Sequence, residues 1–184
     1  MSVTLKFIVG IIVISLLYLA LGKLRKNSTP DGGKLRESST PNKIDELANL
    51  PTGLKVVHTP NPALATCDNK NYCTYTWFYS TTVSAIDEDI EILEFGAFDL
   101  DNDGKWIQST TIYQRPFNSK DFADWYSCPG AIIAKGESVT DPTNWSGNDI
   151  LKGNKVKWYY IGRNSKGQKV KGESTVECLA ELKQ

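Results

Sequence analysis

Lys155-Val156-Lys157-Trp158-Tyr159-Tyr160-Ile161-Gly162-Arg163 runs into Asn164-Ser165-Lys166-Gly167 and then into a second stretch from Gln168 to Cys178. Two such runs around a short turn carrying Asn and Gly read as a β-hairpin, since Asn and Gly accept the backbone a tight reversal needs. Side chains alternate along a strand, so Val156, Trp158 and Tyr160 share one face while Lys155, Lys157 and Tyr159 share the other. One side of this hairpin therefore faces a core. Working back from it, Leu54 to His58, Tyr72 to Ala85, Ile90 to Phe98 and Trp106 to Tyr113 are rich in β-branched, aromatic and other apolar residues and are bounded by turn residues. Ser119 to Tyr126 is the helical exception, with Asn118 or Ser119 available as its cap and Pro129-Gly130 beyond its end.

Trp158 to Gly167 resembles the F–G hairpin of immunoglobulin-like and fibronectin type III domains, where an aromatic, a core residue, a small residue and an Asn-x-x-Gly turn follow at these spacings. Trp158 replaces the usual Tyr, and Tyr160 stands where an immunoglobulin has its second cysteine. The resemblance implies an all-β fold, an antiparallel β-sandwich with one short helix, and no activity, because such sandwiches host many unrelated functions.

Three regions follow from composition. Residues 1–22 contain the uncharged apolar stretch Phe7 to Gly22, 16 residues long. It covers about 24 Å as a helix, between the length of a secretion signal and that of a transmembrane span. Counting Val3 to Leu5 brings it to bilayer length and favours a retained membrane anchor, the transmembrane helix of a single-pass protein; Ala20 and Gly22 leave a cleaved-signal reading open. Residues 23–51, with Pro30, Gly32, Gly33 and Pro41, read as a flexible polar linker in which Ile44, Leu47 and Leu50 have the spacing of a turn or two of helix. Residues 52–184 are the β domain.

All four cysteines, Cys67, Cys73, Cys128 and Cys178, lie in that domain. An even number behind an export-type segment reads as two disulfides, with a local Cys67–Cys73 loop leaving Cys128 to Cys178 among three formal pairings. This places the body outside the cytoplasm, periplasmic or extracellular, against a cation distribution around the apolar stretch that slightly favours the inward side. The chain carries 21 basic and 21 acidic residues and no basic block beyond the juxtamembrane Lys-Leu-Arg-Lys, which argues against nucleic-acid binding.

Two motifs invite a ligand. Asp99-Leu100-Asp101-Asn102-Asp103-Gly104 matches the front half of a calcium loop, with Asp99, Asp101 and Asp103 as alternate carboxylates. Thr110 stands at the twelfth position where such a loop needs Glu, so a plain hairpin turn is the simpler reading. Trp125, its neighbour Tyr126, and Trp145 lie in polar, loop-like surroundings and offer stacking surfaces for a sugar or a partner protein, unless they cap an open end of the sandwich. Trp77, Trp106 and Trp158 fall in strands and read as core. Asn144-Trp145-Ser146 and Asn27-Ser28-Thr29 fit the glycosylation pattern. His58 is the sole histidine, has no recognisable nucleophile beside it, and reads as a surface residue at a strand end. The expectation is a membrane-tethered, non-catalytic binding or accessory module of the cell envelope with protein partners in the membrane, or alternatively a carbohydrate-recognition module; the only cofactor entertained is calcium.

Overall fold

A computed structural model describes residues 42–67 and 73–183. The apolar stretch and most of the linker therefore lie outside the described residues, and among these no helix is long and apolar enough to cross a membrane. The fold is predominantly β. Ten strands occur among the described residues: β1 (Leu54–Thr59), β2 (Ala63–Cys67), β3 (Tyr75–Ala85), β4 (Ile90–Leu100), β5 (Trp106–Gln108), β6 (Phe117–Asn118), β7 (Ile132–Ile133), β8 (Ser138–Asn148), β9 (Asn154–Asn164) and β10 (Lys169–Leu182). Two helices join them, α1 (Lys43–Asn49) and α2 (Ser119–Trp125), where the sequence reading counts one.

The C-terminal hairpin is the spine. β9 and β10 pair antiparallel from Arg163↔Lys169 to Asn154↔Cys178, and the far edge of β9 pairs with β4. On the other side of the molecule β3 pairs with β1 and β2 along one edge and with β8 along the other. Pro60 and Pro62 separate β1 from β2, so β1 follows the second half of β3 while β2 follows its first half and also pairs with β10. That last pairing is parallel, so the pairing is not antiparallel throughout.

Two core clusters result. The larger packs Trp77, Tyr79 and Val83 of β3 against Ile92, Phe95, Trp158 and Tyr160 of β4 and β9. The second lies on the opposite face of β9, where Leu47, Phe98, Tyr159 and Ile161 come together with Ile44, Leu50 and Trp106 at their margin. Both faces of β9 are thus buried, although alternation predicts one. The helical spacing of Ile44, Leu47 and Leu50 explains it: α1, capped by Asn42, covers this outer face, and Lys43 bridges to Glu94 at 3.0 Å. The compact unit accordingly includes α1. Gly96 faces this cluster, because a Cβ there would stand 2.8 Å from the Tyr159 hydroxyl.

β8 is the strand that its sequence conceals. Pro142 and Gly147 read as loop residues, yet β8 lies at an edge, where a missing N–H removes no ladder bond on the open side. The register also breaks at the proline: Tyr79 faces Asn144 and Thr81 faces Asp141, so Pro142 and Thr143 together oppose Ser80. An edge bulge accommodates the ring.

Candidate functional site

A cleft of about 490 Å³ opens between β8 on one side and the end of β4, the segment after β5 and the end of α2 on the other. Its volume is that of an ordinary small-molecule pocket. Four of the five tryptophans line it: Trp77, Trp125, Trp145 and Trp158.

Each is placed by local structure. Asn118 caps α2 by accepting from the backbone of Lys120 and Asp121, while Asp121 reaches back to the Asn118 N–H. This box, tied further by Arg115 to Asp121 at 2.8 Å, sets the start of a seven-residue helix whose last residue is Trp125. The Trp125 ring packs on Phe117 with centroids 4.5 Å apart. Trp145 borders the cleft on β8, but it pairs with the exposed Phe78 across the ladder and its ring lies beside Gly147 on the outer face of the strand, opposite the core-facing Asn144 and Ser146. Trp77 and Trp158 are buried, and their indole N–H groups point to protein partners: Trp77 donates to the Leu179 carbonyl and Trp158 to the Tyr79 hydroxyl, each at 2.8 Å. They offer ring surface to the cleft and no donor. Trp125 and Trp145 are half-buried, and neither indole N–H has a partner among the described residues.

Carboxylates supply the polar part. Asp99 accepts from Ser109 Oγ at 2.6 Å and from Asn154 Nδ2 at 3.2 Å. Asp141 accepts through Oδ1 from the Thr143 N–H at 2.9 Å and hydroxyl at 3.3 Å, and burial raises its pKa above the ordinary carboxylate range. Asp124 stands at the rim, paired with Lys120 at 2.9 Å. Cys178 lies at the base; burial first, then the Asp99 charge, pushes its thiol up to about 12, so it stays protonated.

The structure therefore places Trp125 at the cleft, turns the Trp145 ring to the outer face of β8, and leaves Tyr126 out of the cleft. Tyr126 is buried, stacks on Phe122 with centroids 4.2 Å apart and shares a 2.6 Å hydrogen bond with the Tyr160 hydroxyl, so it is a core residue. Asp99, Asp101 and Asp103 do not assemble as ligands. Asp99 turns to Ser109 and Asn154, and Asp101 Oδ1 accepts from the Asp103 and Lys105 N–H groups at 2.9 and 2.7 Å, closing a turn in which Gly104 takes φ +75°. No group of three His, Cys, Asp or Glu residues positioned for a metal occurs among the described residues.

The four cysteines are unpaired in the structure: Cys67 is exposed, Cys73 half-buried, and Cys128 and Cys178 buried. Cys128 donates to the Ile132 carbonyl at 3.2 Å beside the end of α2, whereas Cys178 lines the cleft, so the proposed Cys128–Cys178 bond is not formed. Asn144 is buried and its Nδ2 donates to Thr81 Oγ1 at 2.8 Å, which leaves it unavailable as a glycan acceptor.

His58 is also a core residue instead of a surface one. It is 4 % exposed, with Nδ1 3.0 Å from the Thr81 hydroxyl and Nε2 3.4 Å from the Ser174 carbonyl. A carbonyl only accepts, so Nε2 carries the proton and Thr81 donates to Nδ1. Burial pulls the pKa of this ring down to about 4.

Sequence reasoning missed Asp141, Asn154 and the contribution of Trp77 and Trp158. Asp141 and Asn144 directly flank Pro142 and Thr143, in a stretch whose strand character was hidden. The signal that was available is the polar edge pattern itself, Asp, Asn, Ser and Asn around one Trp.

No family model matches the chain, and no curated protein matches it. Among solved structures, it is similar to a Bordetella pertussis protein called ApaA, with 11% identity and a TM-score of 0.41, covering 73% of this chain and 98% of that one. It is likewise similar to a target of the Northeast Structural Genomics Consortium, with 10% identity and a TM-score of 0.45, covering 71% of this chain and 88% of that one. Likeness at this level assigns neither a family nor an activity to the chain.

Proposed function

We propose that the chain is a non-catalytic binding module, tethered to a membrane by residues 1–22 and taking its ligand in the tryptophan-lined cleft. The observation that carries this reading is the convergence of Trp125, at the end of α2, with Trp77, Trp158 and the carboxylates of Asp99 and Asp141 around one concavity. Aromatic rings and a few convergent polar groups around a pocket of this size are the usual makings of a ligand site. The non-catalytic part rests on the chemistry of the lining: its thiol is held protonated, and His58, satisfied by Thr81 and Ser174, is not part of it.

The scaffold is read here as an immunoglobulin-like sandwich, with β1, β2, β3 and β8 facing β10, β9, β4 and β5. Support comes from the strand order and from side chains of both groups meeting in one core. The tether rests on the apolar stretch Phe7 to Gly22. With the four thiols unpaired, placement of the body outside the cytoplasm rests on that stretch alone.

A glycan array with the full chain, repeated with Trp125→Ala, tests the alternative that the ligand is a sugar, which the half-buried ring and free indole N–H of Trp125 favour. Detergent pull-down of membrane proteins, repeated with the same variant, tests the accessory-subunit reading. The cleft reading requires Trp125→Ala to weaken whichever partner is found; a partner that binds the variant as well as the parent chain contradicts it.

A further inference from the structure

Asn144 lies in the wall of the cleft with Trp145 beside it, and a chain of hydrogen bonds leads from them into the buried centre of the molecule. The Trp145 backbone N–H donates to Asn144 Oδ1 at 2.8 Å, and Asn144 Nδ2 donates to Thr81 Oγ1 at 2.8 Å. The Thr81 hydroxyl donates to His58 Nδ1 at 3.0 Å, and His58 Nε2 donates to the Ser174 carbonyl at 3.4 Å. The direction is fixed at both ends, because a backbone N–H only donates and a carbonyl only accepts.

The Trp145 end lies on an open edge. The Ala65 carbonyl accepts from Lys183, away from β3, so Trp77, which pairs with Ala65, turns its own backbone groups the other way, to Ser146 of β8. Alternation then points the backbone of Trp145, paired with Phe78, away from β3 to the free edge of β8. Asn144 Oδ1 therefore covers an edge N–H that borders the cleft.

A proton on His58 Nδ1 breaks this order. Both ring nitrogens then donate, and Thr81 receives donors from His58 and from Asn144 while its own proton has no acceptor. Turning the Asn144 amide over supplies Oδ1 as that acceptor. Its NH2 then faces the Trp145 N–H, and the conflict between two donors releases the backbone N–H at the cleft edge. A buried donor without an acceptor is costly, whereas an edge N–H reaches water, so the reversal runs the length of the chain.

Few other titratable groups face the ring. Tyr79 of β3 meets it edge-on at 5.4 Å, and burial raises the pKa of its hydroxyl. From β10, Ser174 shares its face with Gly172 and Val176, none of them charged. Asp141 of β8 stands beyond Thr81 in the same row, since Thr81 faces His58 on one side and Asp141 on the other. Burial raises the Asp141 pKa, so this carboxylate also gains a proton as the pH falls.

We propose that His58 is a proton sensor for the cleft edge: a proton at Nδ1 reverses the relay, turns the Asn144 amide over and frees the Trp145 N–H for an acceptor on the ligand. The use of that donor rests on the cleft being the ligand site, whereas the relay itself is read in the ligand-free chain.

As the only histidine, His58 gives one set of ring signals in NMR of the full chain. At neutral pH the relay requires the ring proton on Nε2, and a ring protonated at Nδ1 alone overturns it. The pH is then lowered to about 4, where the ring titrates. The expected result is that the Asn144 side-chain amide and the Trp145 backbone N–H shift with the midpoint of the ring, that Asp141→Asn keeps this shared midpoint and that Thr81→Val abolishes it. Asn144 and Trp145 signals that ignore the midpoint of the ring, that follow it as before in Thr81→Val, or that lose it in Asp141→Asn overturn the proposal. If acid unfolds the chain first, hydrogen exchange of the Trp145 N–H at neutral pH decides: Thr81→Val releases Asn144 Nδ2 and should speed exchange about tenfold, while an unchanged rate overturns the relay. If Thr81→Val fails to fold, the tautomer and the shared midpoint on the parent chain decide.

Discussion

Trp158 on β9 donates its indole N–H to the hydroxyl of Tyr79 on β3 at 2.8 Å, in the buried centre of the molecule. Tyr79 lies 2.6 Å from Ser146 Oγ on β8 as well, so with its oxygen accepting from Trp158 its own proton is directed to Ser146. One hydroxyl thereby links the hairpin spine to the strand that carries Trp145. Removing it with Tyr79→Phe leaves a buried indole N–H without an acceptor. The expected cost is about 1–3 kcal/mol in urea unfolding, with the m-value unchanged. A variant as stable as the parent would show that this bridge contributes nothing.

His58 gives a pH signature. Its pKa is about 4 in the fold against 6.5 ordinarily, so between those values the unfolded chain takes up a proton that the folded chain does not. Stability is therefore full above pH 6.5 and falls as the pH drops toward 4, by roughly 3 kcal/mol over the window. Urea midpoints of the parent and of His58→Gln, measured at neutral pH and again at the low end, isolate this contribution from that of the carboxylates. The prediction is a shallower loss in the variant, and equal losses would contradict it.

Much of the fold was legible because hairpin chemistry is local. The turn Asn164 to Gly167 and the alternation of Val156, Trp158 and Tyr160 locate β9 and β10, and Asn118 with Asp121 marks the start of α2. What stayed hidden depends on neighbours distant in sequence. The strand β8 is tolerated around Pro142 because it is an edge strand with a bulge opposite Ser80, which no local pattern reveals. Tyr159 looked exposed because its cover, Leu47, comes from the far end of the chain. Trp125 was legible as a candidate, whereas the outward turn of the Trp145 ring and the core-facing place of Asp141 became visible only once β8 had a register.

Leu47 is 2 % exposed although it lies in the segment read as linker. Leu47→Ala should cost about 2–5 kcal/mol, as for other buried leucines. A linker residue would cost nothing measurable, so thermal melting of this variant decides whether α1 is part of the folding unit.

Asp101 holds its turn by accepting from two backbone N–H groups, those of Asp103 and Lys105. Asp101→Ala should lower stability by about 1 kcal/mol, by the same amount in calcium and in chelator. A loss seen only with calcium present would restore the calcium-loop reading.

The central claim is that the cleft between β8 and α2 is where this chain binds its ligand. It is tested most directly by recording the indole N–H NMR signals of the full chain during titration with glucose oligosaccharides. Five tryptophans give five signals: Trp77, Trp125 and Trp158 from the cleft, Trp145 from the outer face of β8, and Trp106, which packs with α1 on the other face of β9. The account predicts that Trp125 shifts while Trp106 and Trp145 stay in place. Unchanged signals, or shifts confined to Trp106 and Trp145, would contradict it.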